Sequence, residues 1–552
     1  MRKSVLSILI VILTSFFGIA NQPAQSSIRI LLLSGSNNHE WQKTTPIMQS
    51  VLERSGLFSV TITEKPDTLT SRSLKPFQVI LSNWNSWPEK KCTWSAETKT
   101  AILNFVNNGG GIVFVHSAGA ANYDWPEYQN MAAASWGDST KHGKVAPFQV
   151  KFSKSEHPVT KGLIDFWTTD ELWVNSRISG KPTVLAEAFA PVLNNGSDKM
   201  EPILFCGKSG KGHSFMLLLG HDEQAMKNLG FQTLMLRGTE WAASGKVSQA
   251  IPEELKVRPN TATKLLWKKE KNSLALLNND QIIWQYHFDP AEGKPYFHPL
   301  SALDGTVLTE LRPTDHPWHR AVWFSWKYIN GLNYWEEDRE TGKSEGITEL
   351  KSSNQKTNTA GEAEFTHEIA NHPPQGADLL AEKRTIKVSA PNLDGSYFMD
   401  WESTFTALAP EVVLDRTPLP DEPEGKSWGG YAGFSIRLSN NLWDVSAIND
   451  QQKSAELHGK PSGWMTYQMK SLSGNPVSLT IFDHPSNVGF PNKWFISIDD
   501  KTPFYYFSPA PLFGAKIILK KGEQLHLKYR MLVNSGEIDQ TKIPTNWNQF
   551  KN

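Results

Sequence analysis

Gly111-Ile112-Val113-Phe114-Val115-His116-Ser117-Ala118 is the stretch that decides the fold of the first half of the chain. Ile112 to Val115 is an unbroken apolar run. Such a run suits a strand buried on both faces, as in a parallel sheet covered by helices on either side. Just before it, Asn108-Gly109-Gly110-Gly111 stops a helix read over Ala96 to Asn107, with Ile102, Phe105 and Val106 on one side. Working outward, the same alternation recurs. Ile28-Arg29-Ile30-Leu31-Leu32-Leu33 is a second buried run, closed by Ser34-Gly35-Ser36. A helix follows from about Thr44 to Arg54, then strands over Val60 to Ile62 and Phe77 to Ser82. Strands alternating with helices predict an α/β, doubly wound parallel sheet of the flavodoxin-like kind. Glu201 to Cys206 and His213 to Leu218 read as a hairpin joined by Gly207-Lys208-Ser209-Gly210-Lys211-Gly212. That turn is not a phosphate loop, because His213 stands where a lysine is required. A helix from about Gln224 to Ala243 closes the unit, placed at residues 27–245.

Residues 246–263 are polar and read as a linker. Beyond them the apolar period drops to two, as in Ile282-Ile283-Trp284-Gln285-Tyr286 and Val477-Ser478-Leu479-Thr480-Ile481-Phe482. No long helix interrupts, so residues 264–540 are expected to form an all-β sandwich. The 552 residues thus hold at least two cores. Lys+Arg and Asp+Glu balance at 56 each, which leaves no electrostatic footprint for nucleic acid. At the amino end, Arg2 and Lys3 precede an apolar run from Val5 to Phe17 and the small residues of Gly18-Ile19-Ala20. Residues 1–20 read as a signal peptide, so an exported, periplasmic or extracellular protein is expected. No other segment is apolar for long enough to insert in a membrane. Cys92 and Cys206 could be bridged or remain two separate thiols. Oligomeric state is not legible.

In a doubly wound sheet, ligands meet the carboxyl ends of the strands. The polar residues just after each strand therefore carry the argument. They are Asn37-Asn38-His39-Glu40, then His116-Ser117, then His221-Asp222 after Gly220. Three strands each deliver a histidine to one edge, which points to a site.

These residues resemble the ThuA-like (trehalose utilisation) family. Its pattern is matched by Leu33-Ser34-Gly35 with His39, Val115-His116-Ser117, Trp136-Gly137 with His142-Gly143, and His157-Pro158-Val159-Thr160. Further matches are Asp170-Glu171-Leu172, Leu219-Gly220-His221 and Arg237-Gly238-Thr239-Glu240-Trp241. The resemblance implies a class I glutamine amidotransferase-like fold. That fold normally presents a cysteine where His116 and Ser117 stand, so thiolate attack is unsupported. Ser117 is not framed as a nucleophile elbow either. Histidine and carboxylate chemistry remains. His116, His142 and His221 can bind a divalent metal (zinc or similar), or one of them can act as a base. His39, His116, Glu171, His221 and Asp222 are the catalytic candidates, with Asn38 on the substrate. The resemblance points to sugars, in particular keto-glycosides, opened by elimination or hydrolysis.

The densest polar cluster lies in the second half, at Arg312-Pro313-Thr314-Asp315-His316-Pro317-Trp318-His319-Arg320. Together with Tyr296-Phe297-His298-Pro299-Leu300 and Ile481-Phe482-Asp483-His484-Pro485, it resembles the PmoA-like family. The all-β pattern suggests, by analogy with sugar-handling sandwiches, that Asp315, His316, His319, Asp483 and His484 line one concave face. Trp323 and Trp335 are the expected sugar-stacking rings. The whole reads as an exported carbohydrate-active protein, a hydrolase or lyase of glycosides or keto-sugars. The alternative is a non-catalytic binding protein using tryptophan surfaces.

Overall fold

The computed structural model describes residues 27–153, 156–256, 263–450, 457–499 and 503–551. The expected signal peptide lies outside the described residues, as do residues 257–262 of the expected linker.

The first half is built on strands β1 (Ile28–Leu33), β2 (Phe58–Thr63), β3 (Val79–Ser82), β4 (Gly111–Val115), β5 (Lys141–Phe152), β6 (Phe166–Val174), β7 (Thr183–Ala190), β8 (Lys199–Ser209) and β9 (Gly212–Leu217). The principal helices are α1 (Trp41–Arg54), α2 (Ala96–Asn107), α3 (Glu223–Lys227) and α4 (Leu229–Ser244). The strands form one nine-stranded sheet in the order β2-β1-β3-β4-β9-β8-β7-β5-β6. From β2 to β9 the pairings are parallel. From β9 to β6 they are antiparallel. The sheet is therefore mixed rather than wholly parallel as expected. The reason is visible in β5, where exposed Lys141, Lys144 and Lys151 leave one face in water, a pattern antiparallel strands tolerate. α2 starts on Ser95, whose side chain accepts the Thr98 N–H. α4 lies tight against β4. A Cβ at Gly111 would come within 2.3 Å of the Ala242 carbonyl oxygen, so only glycine allows that approach.

The second half is antiparallel. One eight-stranded sheet runs from Leu265–Lys269 to Trp494–Asp499 and contains Tyr296–Leu300, Val322–Ser325, Gly433–Arg437 and Phe504–Pro509. The other runs from Ile347–Thr357 to Trp443–Asn449 and contains Tyr397–Ala407, Pro476–Asp483 and Gln524–Ser535. Trp284, Phe324 and Phe434 of the first sheet share one buried core with Phe365, Trp401 and Tyr529 of the second. Two sheets meeting over one such core are a sandwich.

The halves touch at the edge strand β6. The Trp167 N–H donates to the Leu472 carbonyl at 2.7 Å. Its ring stacks on Trp443 with centroids 4.5 Å apart. Gly474 has φ +86° and passes beneath that indole, where a Cβ would stand 2.8 Å from Nε1. Leu472 is buried in the core of the first half. An open sheet edge is thus closed by the other half. Cys92 and Cys206 are both free thiols.

Two histidines of the sandwich make its stability depend on pH. Burial lowers His298 to about 4, with His287 adding to the effect, and lowers His367 to about 3, with Arg384 adding to it. Unfolded histidine titrates near 6.5. Between about pH 4 and 6.5 the unfolded chain therefore binds more protons than the native one, and stability falls as pH falls through that window. Thermal unfolding followed from about pH 7 to about pH 4.5 should show a declining midpoint, and His367→Phe should flatten the decline.

Candidate functional site

The parallel strands β1, β4 and β9 end at one edge of the sheet, and His39, His116 and His221 follow them. His116 occupies the first position after β4 with φ +46°, a left-handed backbone that a non-glycine residue holds only under strain. The three rings meet edge-to-face. Centroids are 5.0 Å apart for His39 and His116, 4.7 Å for His39 and His221, and 5.3 Å for His116 and His221. Glu171 arrives from β6, the far end of the sheet. Its Oε1 lies 3.6 Å from His116 Nε2, and its Oε2 lies 3.5 Å from His221 Nδ1 and 3.0 Å from His142 Nδ1. One donor atom each from His39, His116, Glu171 and His221 lies within 4.8 Å of the others.

The hydrogen bonds behind the rings fix where their lone pairs point. His116 Nδ1 is 2.9 Å from the Leu218 carbonyl oxygen, which only accepts, so Nδ1 carries the proton and Nε2 is bare. His39 Nδ1 is 3.0 Å from Asn37 Oδ1, which also accepts from Asn85 Nδ2 at 2.8 Å and from the Ser117 hydroxyl at 2.9 Å. His39 Nε2 is therefore bare too. Among the described residues, His116 Nε2 and His221 Nδ1 are buried with no hydrogen-bond partner. Ring nitrogens bared in this way, with the opposite N–H held by an oxygen, are the usual outer arrangement of metal-ligating histidines. Two ligand bonds of about 2.1 Å at a tetrahedral angle place their atoms about 3.4 Å apart, close to the spacings to Glu171.

Charge agrees with that arrangement. Burial, reinforced by His116 and His221, lowers His39 to about 3, so it stays neutral. Burial works against the Glu171 carboxylate, but His116, His221 and His142 outweigh it and hold its pKa at about 2. His116 is the exception: burial alone would depress it, but the Glu171 and Asp170 carboxylates more than offset that and raise it, so its Nε2 attracts a proton that a metal ion would displace. Burial pushes Asp170 up to about 6, against the pull of its hydrogen bonds. Asp170 accepts the backbone N–H groups of Gly220 at 2.7 Å and His221 at 3.1 Å. It thereby sets the loop that presents His221.

Other expected residues fall in different places. Asn38 Oδ1 accepts from Asn85 Nδ2 at 2.8 Å, beside the cluster. Asp222 caps α3 by accepting the Ala225 N–H at 2.8 Å, which explains its position without chemistry. His142 is 55% exposed and bonded to Glu171, so it flanks the set that can hold a metal rather than belonging to it. Asp315, His316 and His319 do gather. His316 Nδ1 is 2.9 Å from Asp315 Oδ2, and the two rings stack at 4.6 Å. Asp483 and His484 do not join them, because the strand Pro476–Asp483 belongs to the opposite sheet. Asp483 is buried under Asn487 and Asn492, and His484 packs against Phe550. Trp323 and Trp335 are 1% and 2% exposed and sit in a core with Tyr431, Phe495 and Tyr506, so neither ring can receive a sugar. Several contributors were passed over. Asn85 follows β3, and the strand-end rule applied there finds it. Asp170 stood next to Glu171 in the quoted motif. Trp87, 38% exposed, lies 6.0 Å from Trp136, which lies 6.0 Å from His142.

A family model named trehalose utilisation (ThuA) matches residues 29–242, and one for a family of unknown function (DUF6807) matches residues 273–548. That second match stands where a PmoA-like relative was expected. Among solved structures, a ThuA-like protein of Parabacteroides merdae is 31% identical, with 42% of this chain and 98% of its own covered and a TM-score of 0.38. A ThuA-like protein of Bacteroides uniformis is 21% identical, with 42% and 97% covered and a TM-score of 0.33. The α-galactosidase of Lactobacillus brevis is 9% identical, with 52% and 41% covered and a TM-score of 0.27. A search of curated proteins returned no match.

The hydrogen bonds behind the rings lead to a graded expectation for zinc titration. Glu171→Gln should abolish tight binding. Asn37→Ala, which keeps all four ligands but frees the His39 ring and releases Asn85 and Ser117, should weaken it by about 10–100-fold.

Proposed function

Since the chain belongs to the family of unknown function matched at residues 273–548 and carries a trehalose-utilisation domain at residues 29–242, we propose that its first half is a metal-assisted enzyme acting on a glycoside or keto-sugar. The observation that carries this reading is the convergence of bare imidazole nitrogens on the Glu171 carboxylate. Neutral imidazoles and an ionised carboxylate are the ligand forms a divalent ion needs. His39, His116, His221 and Glu171 would hold the ion, and it would supply Lewis-acid polarisation of a sugar oxygen.

His142 is suited to proton transfer. Its Nδ1 lies 3.0 Å from both the Gly143 carbonyl and Glu171 Oε2, two acceptors, so Nδ1 bears the proton. Its Nε2 lone pair is free on a half-exposed ring, where it can reach a substrate. Trp87 and Trp136 stand beside it as faces for a pyranose ring. On a 3-keto-glycoside, His142 would take the proton from the carbon next to the ketone. The electron pair would then expel the glycosidic oxygen, which takes up a proton as it leaves. The reading includes export, on the strength of the signal in residues 1–20. The burial of Trp323 and Trp335 removes the support for a purely tryptophan-based binding protein.

The test is metal analysis of the purified chain together with turnover of native and 3-keto trehalose, products being identified by NMR. About one equivalent of a divalent ion is expected, lost in His116→Ala. His142→Ala should keep the ion and lose about 10²–10⁴ in kcat. Full activity in His142→Ala, or activity unchanged after complete chelation, overturns the proposal.

A further inference from the structure

A cavity of about 1100 Å³ lies between the two halves. One wall is α1, through Ile47, Ser50 and Arg54, with Lys227 at the end of α3. The other wall comes from the sandwich, through Glu310, Asp315, Asn440 and Phe504. It is a different cavity from the histidine site. Its volume exceeds the ~300–1,000 Å³ that encloses one drug-sized molecule.

Beside Asp315 and Phe504 stands a fixed relay. Arg437 Nη2 donates to Asp315 Oδ2 at 3.0 Å, and the same oxygen accepts His316 Nδ1–H at 2.9 Å. The His316 Nε2 lone pair is therefore free, on a ring held between His319 at 4.6 Å and Phe504 at 5.0 Å. Arg339 donates to the Thr314 and Asp315 carbonyls and keeps the loop in place. Arg437 is wholly buried, with its guanidinium 4.0 Å from the centre of the Phe504 ring. Burial works against the Asp315 carboxylate, but His316 and Arg437 hold it ionised.

Two more acceptors belong to the cleft wall. Glu310 Oε2 and Asn440 Oδ1 are buried, and among the described residues neither has a hydrogen-bond partner. Unsatisfied buried acceptors are costly, and they call for a ligand rich in donors. Glu310 and Asp315 disfavour an anion there, and Arg54, Lys227 and Arg312 disfavour a cation. A neutral chain of hydroxyls meets both conditions, with Phe504, Ile47 and Leu229 available to its C–H faces. We infer that the cleft between the halves is a second binding site, for a neutral oligosaccharide, in which Glu310 and Asn440 accept hydroxyl hydrogens.

The full-length chain is to be titrated by calorimetry with maltotetraose, cellotetraose and xylotetraose. At least one should bind with a Kd of about 1 mM or tighter, and Glu310→Ala and Asn440→Ala should each weaken it about tenfold. Glu310→Gln, which preserves shape, should weaken it less, and unchanged circular dichroism verifies folding of all three variants. Glu171→Gln, altered only at the histidine site, should bind the tetrasaccharide as the parent does. No binding of any of the three up to about 10 mM overturns the inference. So does binding that survives Glu310→Ala and Asn440→Ala. Binding lost in Glu171→Gln assigns the sugar to the histidine site and overturns it as well.

Discussion

The first half is organised around a buried carboxylate on which the ring nitrogens of His116, His142 and His221 converge. Glu171 is 9% exposed at its side chain, and the nitrogens of His116 and His221 that face it stand 3.5–3.6 Å away without hydrogen-bonding partners. A carboxylate in a desolvated space is unfavourable unless a positive charge, a proton on His116 or a bound cation, stands against it. The backbone is arranged to keep that confrontation in place. Leu218 and Asn37 hold the back of two rings, and Asp170 grips the loop of the third. The strained turn at His116 belongs to the same arrangement. A strand end that rotates a histidine into a left-handed conformation is tolerated only where surrounding contacts over-determine it.

Much of this was legible in the residues because strand ends are marked by a sharp change from apolar to polar. Val115 to His116 and Leu33 to Ser34 are such changes, and the parallel pairing of β1, β3, β4 and β9 brings their sequels to one edge. Beyond the β8–β9 hairpin the antiparallel extension was not legible, because β5 and β7 interrupt their apolar residues with exposed lysines or a glutamate, and β6 carries Thr168, Thr169, Asp170 and Glu171 at its middle. That is also why Glu171 could be named but not placed. It reaches the site from the far edge of a sheet whose last three strands, β7, β5 and β6, no local pattern announces. His142 was grouped with the ligands because spacing cannot tell a ring that joins a cluster from one that flanks it. In the sandwich, period-two alternation identified strands but not which of two sheets each strand joins. Asp483 and His316 therefore looked like neighbours while lying on opposite sheets.

The sandwich contributes a different kind of chemistry. Its tryptophans, conspicuous in the sequence, are mostly packing, as their depth in the cores shows. Its polar loop from Arg312 to Arg320 is held by Arg437 and Arg339, so that Asp315 keeps a fixed geometry at the cavity between the halves. The deeper face of that loop is tied by buried Arg320 to buried Glu337 and to part-exposed Glu292, and Arg312 joins the same two carboxylates to the cavity wall.

The contact of Trp167 with Leu472 and Trp443 has a consequence for how the molecule came to be one chain. β6 supplies Glu171, and its outer margin is completed by backbone from a polypeptide segment some three hundred residues downstream. Cut apart, the first half would bare the Trp167 amide and the large indole beside it, at a strand edge able to template pairing with another copy. Covalent fusion removes that hazard at its source. It also keeps the strand bearing the acidic ligand from fraying, so the sandwich guards the chemistry of its neighbour merely by being attached.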